Sequence, residues 1–254
     1  MNTASLRIPE HPALWRGNSL APARPGIATG FPGLDVLFPG GGWPVGGLTE
    51  IFVPRHGIGE ISLLMPALSR LSQEESWLTW VAPPYLPYAP ALAQAGIDLK
   101  RMLIVRPESE SETVWSIRQA LLSHSCSAVL GWLDRTDTSS LRRLQLAAES
   151  SHSSVFLFRP AQAAYQASPA ALKLYLEADG GGLAVHVLKR RGTLLPHPVR
   201  IDLARPTQEP ARAMSMDSTT RTLHLHSAGN TVHALARPAS SRPAAASPGQ
   251  WRRL

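Results

Sequence analysis

The chain has 254 residues, 44% of them hydrophobic and 17% charged, with a formal net charge of +7. That is ample apolar material for a core, yet no apolar run approaches the roughly 18 residues of a transmembrane helix, so a membrane span is excluded. A single cysteine, Cys126, excludes an intrachain disulfide and a multi-cysteine metal site. Met1–Glu10 lacks the apolar centre of a signal peptide, and the cytoplasm is the expected address.

Residues 1–25 are rich in Pro, Ala and Arg without periodicity, and are expected to form a flexible arm. The aromatic of this arm, Trp15, suits an anchor on a partner, with folding back onto the core as the alternative. Turn formers follow, in the run Ile27–Asp35 and the cluster Gly40–Gly47, and lead into a strand over Leu48–Val53. A glycine-bearing loop, Pro54–Gly59, precedes a helix over Ile61–Leu71. Strands are then expected at Trp77–Ala82, Met102–Val105, Ala128–Leu133 and Val155–Phe158. Helices are expected between them at Ala89–Ala95, Glu112–His124 and Leu141–Ser150. This alternation predicts an α/β fold, a parallel sheet with helices on both faces, over a core of residues 26–204. Leu172–Leu176 and Leu183–Leu188 flank the turn Asp179–Gly182 and read as an antiparallel hairpin extending that core. Residues 205–254 carry seven Arg, no Lys and two acids, Glu209 and Asp217. They are expected to be a disordered basic tail, serving an acidic partner or solubility.

Strand, glycine-bearing loop, helix is the layout of a phosphate-binding loop, which needs a Lys for the phosphates and a hydroxyl for the magnesium ion. Here the loop reads Arg55, His56, Gly57, Ile58, Gly59, Glu60, Ile61. Glu60 stands at the Lys position and Ile61 at the hydroxyl position; Ser62 comes one residue late, about 100° round the helix. A carboxylate beside a phosphate repels it by about 4 kcal/mol per charge at about 4 Å, and Arg55 and His56 offset only part of that. The loop is expected to keep the shape of a nucleotide site and to hold no cofactor, so no catalysis is assigned to the chain.

Ile27–Gly30, Leu34-Asp35, Gly41–Gly46, Leu48–Pro54, Ala95–Asp98 and the strand-end Asp134 together resemble the core of the RecA recombinase. With the degenerate loop, Trp43-Pro44, His11–Gly17 and Lys189–Gly192, the chain is similar to the ImuA family, RecA-like proteins of mutagenic translesion synthesis often labelled SulA-like. The match runs over about residues 10–204. The stretch Val81–Pro84 departs from RecA, whose second strand is followed by a catalytic glutamate. The resemblance implies a RecA-like fold and a non-catalytic adaptor in SOS-induced translesion synthesis. Its implied partners are an ImuB-like Y-family polymerase homologue and an error-prone C-family polymerase subunit, with RecA or DNA contact left open. The rival reading is a SulA-type division inhibitor that binds the tubulin-like division-ring protein.

Basic loops after the late strands are the candidate DNA or partner contacts: Arg135, Arg142 and Arg143 in one, Arg159 and Tyr165 in the next, and the exposed trio Lys189, Arg190 and Arg191. Asp134 reads as a cap for the turn into Thr136–Ser140. Glu108, Glu110 and Glu112 suit a helix N-terminus, Cys126 suits the core, and the tail pair His224 and His226 is too sparse for a metal.

Overall fold

The computed structural model describes residues 24–192 and 197–203. In chain order the elements are α1 (Pro32–Asp35), β1 (Gly47–Val53), α2 (Glu60–Ser72), β2 (Trp77–Val81), α3 (Ala89–Gln94), β3 (Met102–Val105), α4 (Glu110–Leu122) and β4 (Cys126–Trp132). They continue with α5 (Thr138–Ser151), β5 (Ser154–Pro160), a 3-10 turn (Ala161–Tyr165), β6 (Leu172–Asp179), β7 (Gly182–Lys189) and β8 (Val199–Ile201). Trp15, His224, His226 and the proposed arm and tail, apart from its first described residues Arg24 and Pro25, lie outside the described residues.

One eight-stranded sheet runs β3-β2-β4-β5-β1-β6-β7-β8. Strands β1 to β5 are parallel, as alternating apolar strands and helices require. The hairpin of β6 and β7 is antiparallel, but it is not an appendage: β6 pairs parallel with β1, and β8 pairs antiparallel with β7. β1 is buried at all seven positions, which is why its sequence is nearly continuous in apolar and β-branched residues.

Side chains alternate across the sheet and so serve two cores. On one face Ile51, Val53, Leu78, Leu130 and Phe156 pack with Leu34 of α1 and with Leu63, Leu64 and Leu68 of α2. On the other, Leu48, Val129, Val155 and Leu157 pack with Ile117 and Leu121 of α4 and with Leu141 and Leu144 of α5. The glycine cluster before β1 exists to bury Trp43, which is 0% exposed and stacks edge-on against Phe156. A Cβ on Gly42 falls 2.1 Å from the Ile27 carbonyl, so only glycine allows the Ile27–Trp43 bridge.

The shortest elements, among them the 3-10 turns Leu99–Arg101 and Ala161–Tyr165, were not anticipated. The four-residue helix α1 is too short to show periodicity, and β8 is a three-residue edge strand. No described helix is long and apolar enough to cross a membrane.

Candidate functional site

The carboxyl ends of the parallel strands, where open α/β sheets bind ligands, carry the turn after β1, the loop after β2, the 133–137 turn after β4 and the 3-10 turn after β5. The turn after β1 is tightly built. Gly57 and Gly59 adopt φ of +84° and +111°, which lets successive N–H groups converge. Their acceptor is the side chain of Glu60, the first residue of α2. One carboxylate oxygen accepts from Gly57 N at 2.8 Å; the other accepts from Gly57, Ile58 and Gly59 N at 3.1, 3.0 and 3.1 Å. His56 Nδ1 lies 3.8 Å from the same carboxylate, and Glu60 is buried. Arg55 stays exposed. From above, Leu203 closes over the turn: a Cβ on Gly59 falls 2.3 Å from Leu203 Cδ1.

The loop after β2 is its opposite. Pro83, Pro84 and Pro87 restrict the backbone, and Tyr85, Leu86 and Tyr88 stand 71%, 71% and 72% exposed. Sequence reading noted these prolines only as a missing glutamate; the neighbouring aromatics were the unused signal.

Of the basic candidates, Arg135 and Arg143 meet in one cleft of about 630 Å³ between α4 and α5, joined there by Trp115 and Arg118, which sequence reading did not single out. Glu110 organises the cleft by accepting from Arg135 N at 2.7 Å and Thr136 Oγ1 at 2.8 Å. Arg142 is exposed on α5 outside it. Tyr165 is 96% exposed at the end of the 3-10 turn.

Three expectations are corrected. Arg159 is not a surface contact: its side chain is fully buried, bonds Glu50 at 2.7 Å, and reaches the Thr136 carbonyl and the Gln166 side chain. The physical reason is that Glu50 of β1 is fully buried beside it, and the guanidinium answers that charge while the Thr136 carbonyl and the Gln166 side chain take its other nitrogen. Buried Lys173 lies on the same side and donates to Ala164 O and Gln166 O, and burial holds its ammonium below the usual lysine range despite the Glu50 charge. Within the basic trio only Arg191 is exposed, since Lys189 donates to Ser168 O and Arg190 to Leu37 O, each tying a loop down. The cap of α5 is Asp137, not Asp134; it accepts from Ser140 N at 2.6 Å, and that bond holds its carboxyl below the usual aspartate range.

Among the described residues no three His, Cys, Asp or Glu side chains gather to hold a metal. Cys126 Sγ lies 3.3 Å from Thr79 Oγ1.

The family model described as cell division inhibitor SulA matches residues 48–154. Curated relatives called cell division inhibitor SulA, from Yersinia pestis (strain Pestoides F) and Yersinia pseudotuberculosis serotype O:1b (strain IP 31758), are each 34% identical over 98 residues. That alignment covers 39% of this chain and 58% of each relative, so the chain spans little more than half their length. The crystal structure of SulA from Pseudomonas aeruginosa aligns with 24% identity over 44% of this chain and 97% of that one, at a TM-score of 0.38. The family-model match and the curated relatives overturn the expected translesion adaptor, together with its ImuB, polymerase, RecA and DNA partners, and favour the rival reading weighed beside it. The chain is SulA-like over the stretch from β1 to the start of β5.

Proposed function

We propose that the chain is a non-catalytic inhibitor of cell division of the SulA type, acting in the cytoplasm during the damage response by binding the tubulin-like division-ring protein. The observation that carries this reading is the family match over residues 48–154, a stretch that contains both the turn after β1 and the exposed loop after β2. The geometry supports it. A carboxylate fills the turn where a nucleotide's phosphates would lie, and Val81–Pro84 offers no acid to activate water. The strand order, with the turn leaving β1 between β5 and β6, fits a RecA-like framework that has kept its shape and lost its chemistry.

Binding then falls to surface. Tyr85, Leu86 and Tyr88 form an exposed apolar patch on a proline-restricted loop, the composition of a protein-binding hot spot with little conformational entropy left to lose. The test adds the purified chain to the purified division-ring protein and follows polymer by sedimentation. Native protein should lower the polymer yield in proportion to its concentration, and the Tyr85→Ala/Tyr88→Ala variant should not. Undiminished polymer at excess native chain would remove the proposal.

A further inference from the structure

The cleft of about 630 Å³ between α4 and α5 has no part in the reading above, which rests on the loop after β2. Along α4, Trp115 and Arg118 follow the three-residue spacing that puts side chains on one helix face. Arg143 comes from α5, and Arg135 from the turn between β4 and α5. Trp115 is 61% exposed, and the three arginines are exposed with it. None of their guanidinium groups has an ion-pair partner among the described residues; Arg143 makes one bond, to Ser140 Oγ at 3.0 Å. The two carboxylates of the cleft are already engaged. Glu110 accepts from Arg135 N and Thr136 Oγ1, and Asp137 accepts from Ser140 N and Ser139 Oγ. The start of α5 is thus capped from within the chain, and the charge left facing solvent is that of the arginines.

We infer that this cleft is a docking site for an acidic peptide segment of a partner protein, one that carries an aromatic or aliphatic side chain among its carboxylates. Arginine offers a planar fork that takes a carboxylate through two parallel bonds, and the exposed indole gives an apolar side chain a surface to cover. Tryptophan beside arginine is the composition of a binding hot spot. The acids have to come from another protein. Residues 1–23 hold one acid, Glu10, and residues 204–254 hold Glu209 and Asp217 among seven arginines, while the whole chain carries +7. Either end of the chain, or a second copy of it, therefore brings the wrong charge. A nucleic acid is also anionic, but its strand lays down a phosphate at every step. Glu110 and Asp137 line the cleft and repel such a continuous run, whereas a peptide can set a neutral residue against each of them. The inference does not rest on the division-ring reading, because Tyr85 and Tyr88 have no part in this surface.

The test uses the full chain and a short synthetic peptide in which Asp and Glu alternate with Leu and Phe. The readout is the indole N–H signal of Trp115, identified by its loss in Trp115→Phe. The acidic peptide should move this signal saturably, with an apparent Kd of about 100 μM or tighter. The same peptide with Lys in place of every acid should leave it still. Arg118→Ala/Arg135→Ala/Arg143→Ala should raise the Kd about tenfold or more at an unchanged melting temperature. Should that variant fail to fold, Arg118→Ala/Arg143→Ala takes its place with the same expectation. Tyr85→Ala/Tyr88→Ala should bind the peptide as the native chain does, which separates this surface from the loop after β2. A Trp115 signal that ignores the acidic peptide overturns the inference, and so does a folded arginine variant that binds it as tightly as the native chain. Single-stranded DNA of equal charge that moves the signal at lower concentration than the peptide overturns it as well.

Discussion

Two loops leave the same edge of the same parallel sheet, and they treat water in opposite ways. After β1, the amides of residues 57–59 are satisfied within the chain: all three are spent on Glu60, and Leu203 covers Gly59. After β2, residues 82–88 turn outward and place two tyrosines and a leucine in solvent. In a nucleotide-binding α/β protein the first position carries the chemistry. Here its polar groups are satisfied within the chain, and the surface available to another molecule lies at the second. The difference teaches that two loops at one sheet end can diverge completely: an internal carboxylate satisfies the polar groups of one, while the other leaves apolar side chains in solvent.

The interior beneath these loops should break hardest at the buried pair of Glu50 in β1 and Arg159 in β5. Arg159→Ala strands Glu50 in the interior, and denaturant unfolding should show a loss of about 3–5 kcal/mol. Replacing both partners at once, Glu50→Leu with Arg159→Met, should recover most of it, because neither charge is then left alone. If the single variant were as stable as the native chain, that interior would not be held by its charges.

The open loop should give the reverse pattern. Tyr85→Ala/Tyr88→Ala should weaken partner binding by about 2 kcal/mol or more, while unfolding free energy moves by no more than about 0.5 kcal/mol. Titration calorimetry and denaturant unfolding on the same samples check both halves. A smaller loss of stability, about 1–3 kcal/mol, is expected for Gly59→Ala, from the positive φ and the contact with Leu203. Thermal unfolding of that variant measures how much the lid over the closed turn contributes.

The smallest effect is a pH dependence that comes from the same interior, at Lys173 of β6. Burial lowers the Lys173 pKa from its usual 10.5, so with rising pH the folded chain releases this proton before the unfolded chain does. The unfolded state then binds more protons, and stability attributable to Lys173 should rise with pH in the window just below 10.5. Tyr175, whose pKa burial pushes upward, acts in the opposite sense as pH passes 10.0. Both chains share Tyr175, so the difference in urea midpoint between native and Lys173→Met isolates the lysine. A difference that does not change across that window would mean Lys173 is solvated as an ordinary surface lysine.

Much of this architecture was legible before any coordinates. The five parallel strands and helices α2 to α5 followed from the spacing of apolar residues, because burial on one face repeats with the period of the element. The loss of the phosphate-loop lysine was equally plain at Glu60. What Glu60 does instead was not, since a side chain turning back onto its own preceding amides depends on two glycines at positive φ. Arg159 was misread for a related reason. It is the lone cation where an apolar strand runs into a loop, a place that suits a surface contact, while its partner Glu50 is 109 residues away.

By itself the sequence determined where the longer strands and helices lie, which face of each is apolar, and that Glu60 stands where a phosphate loop carries its lysine, because these depend on local periodicity and on residue type. Only the tertiary structure decided that β6 joins β1, that Glu50, Arg159 and Lys173 gather under the 3-10 turn, and that Glu60 fills its own cradle. It alone set Tyr85, Leu86 and Tyr88 in solvent while equally apolar residues were buried. Those outcomes turn on which distant groups remain to be covered or hydrogen-bonded once the sheet has closed, and no local pattern in the chain carries that information.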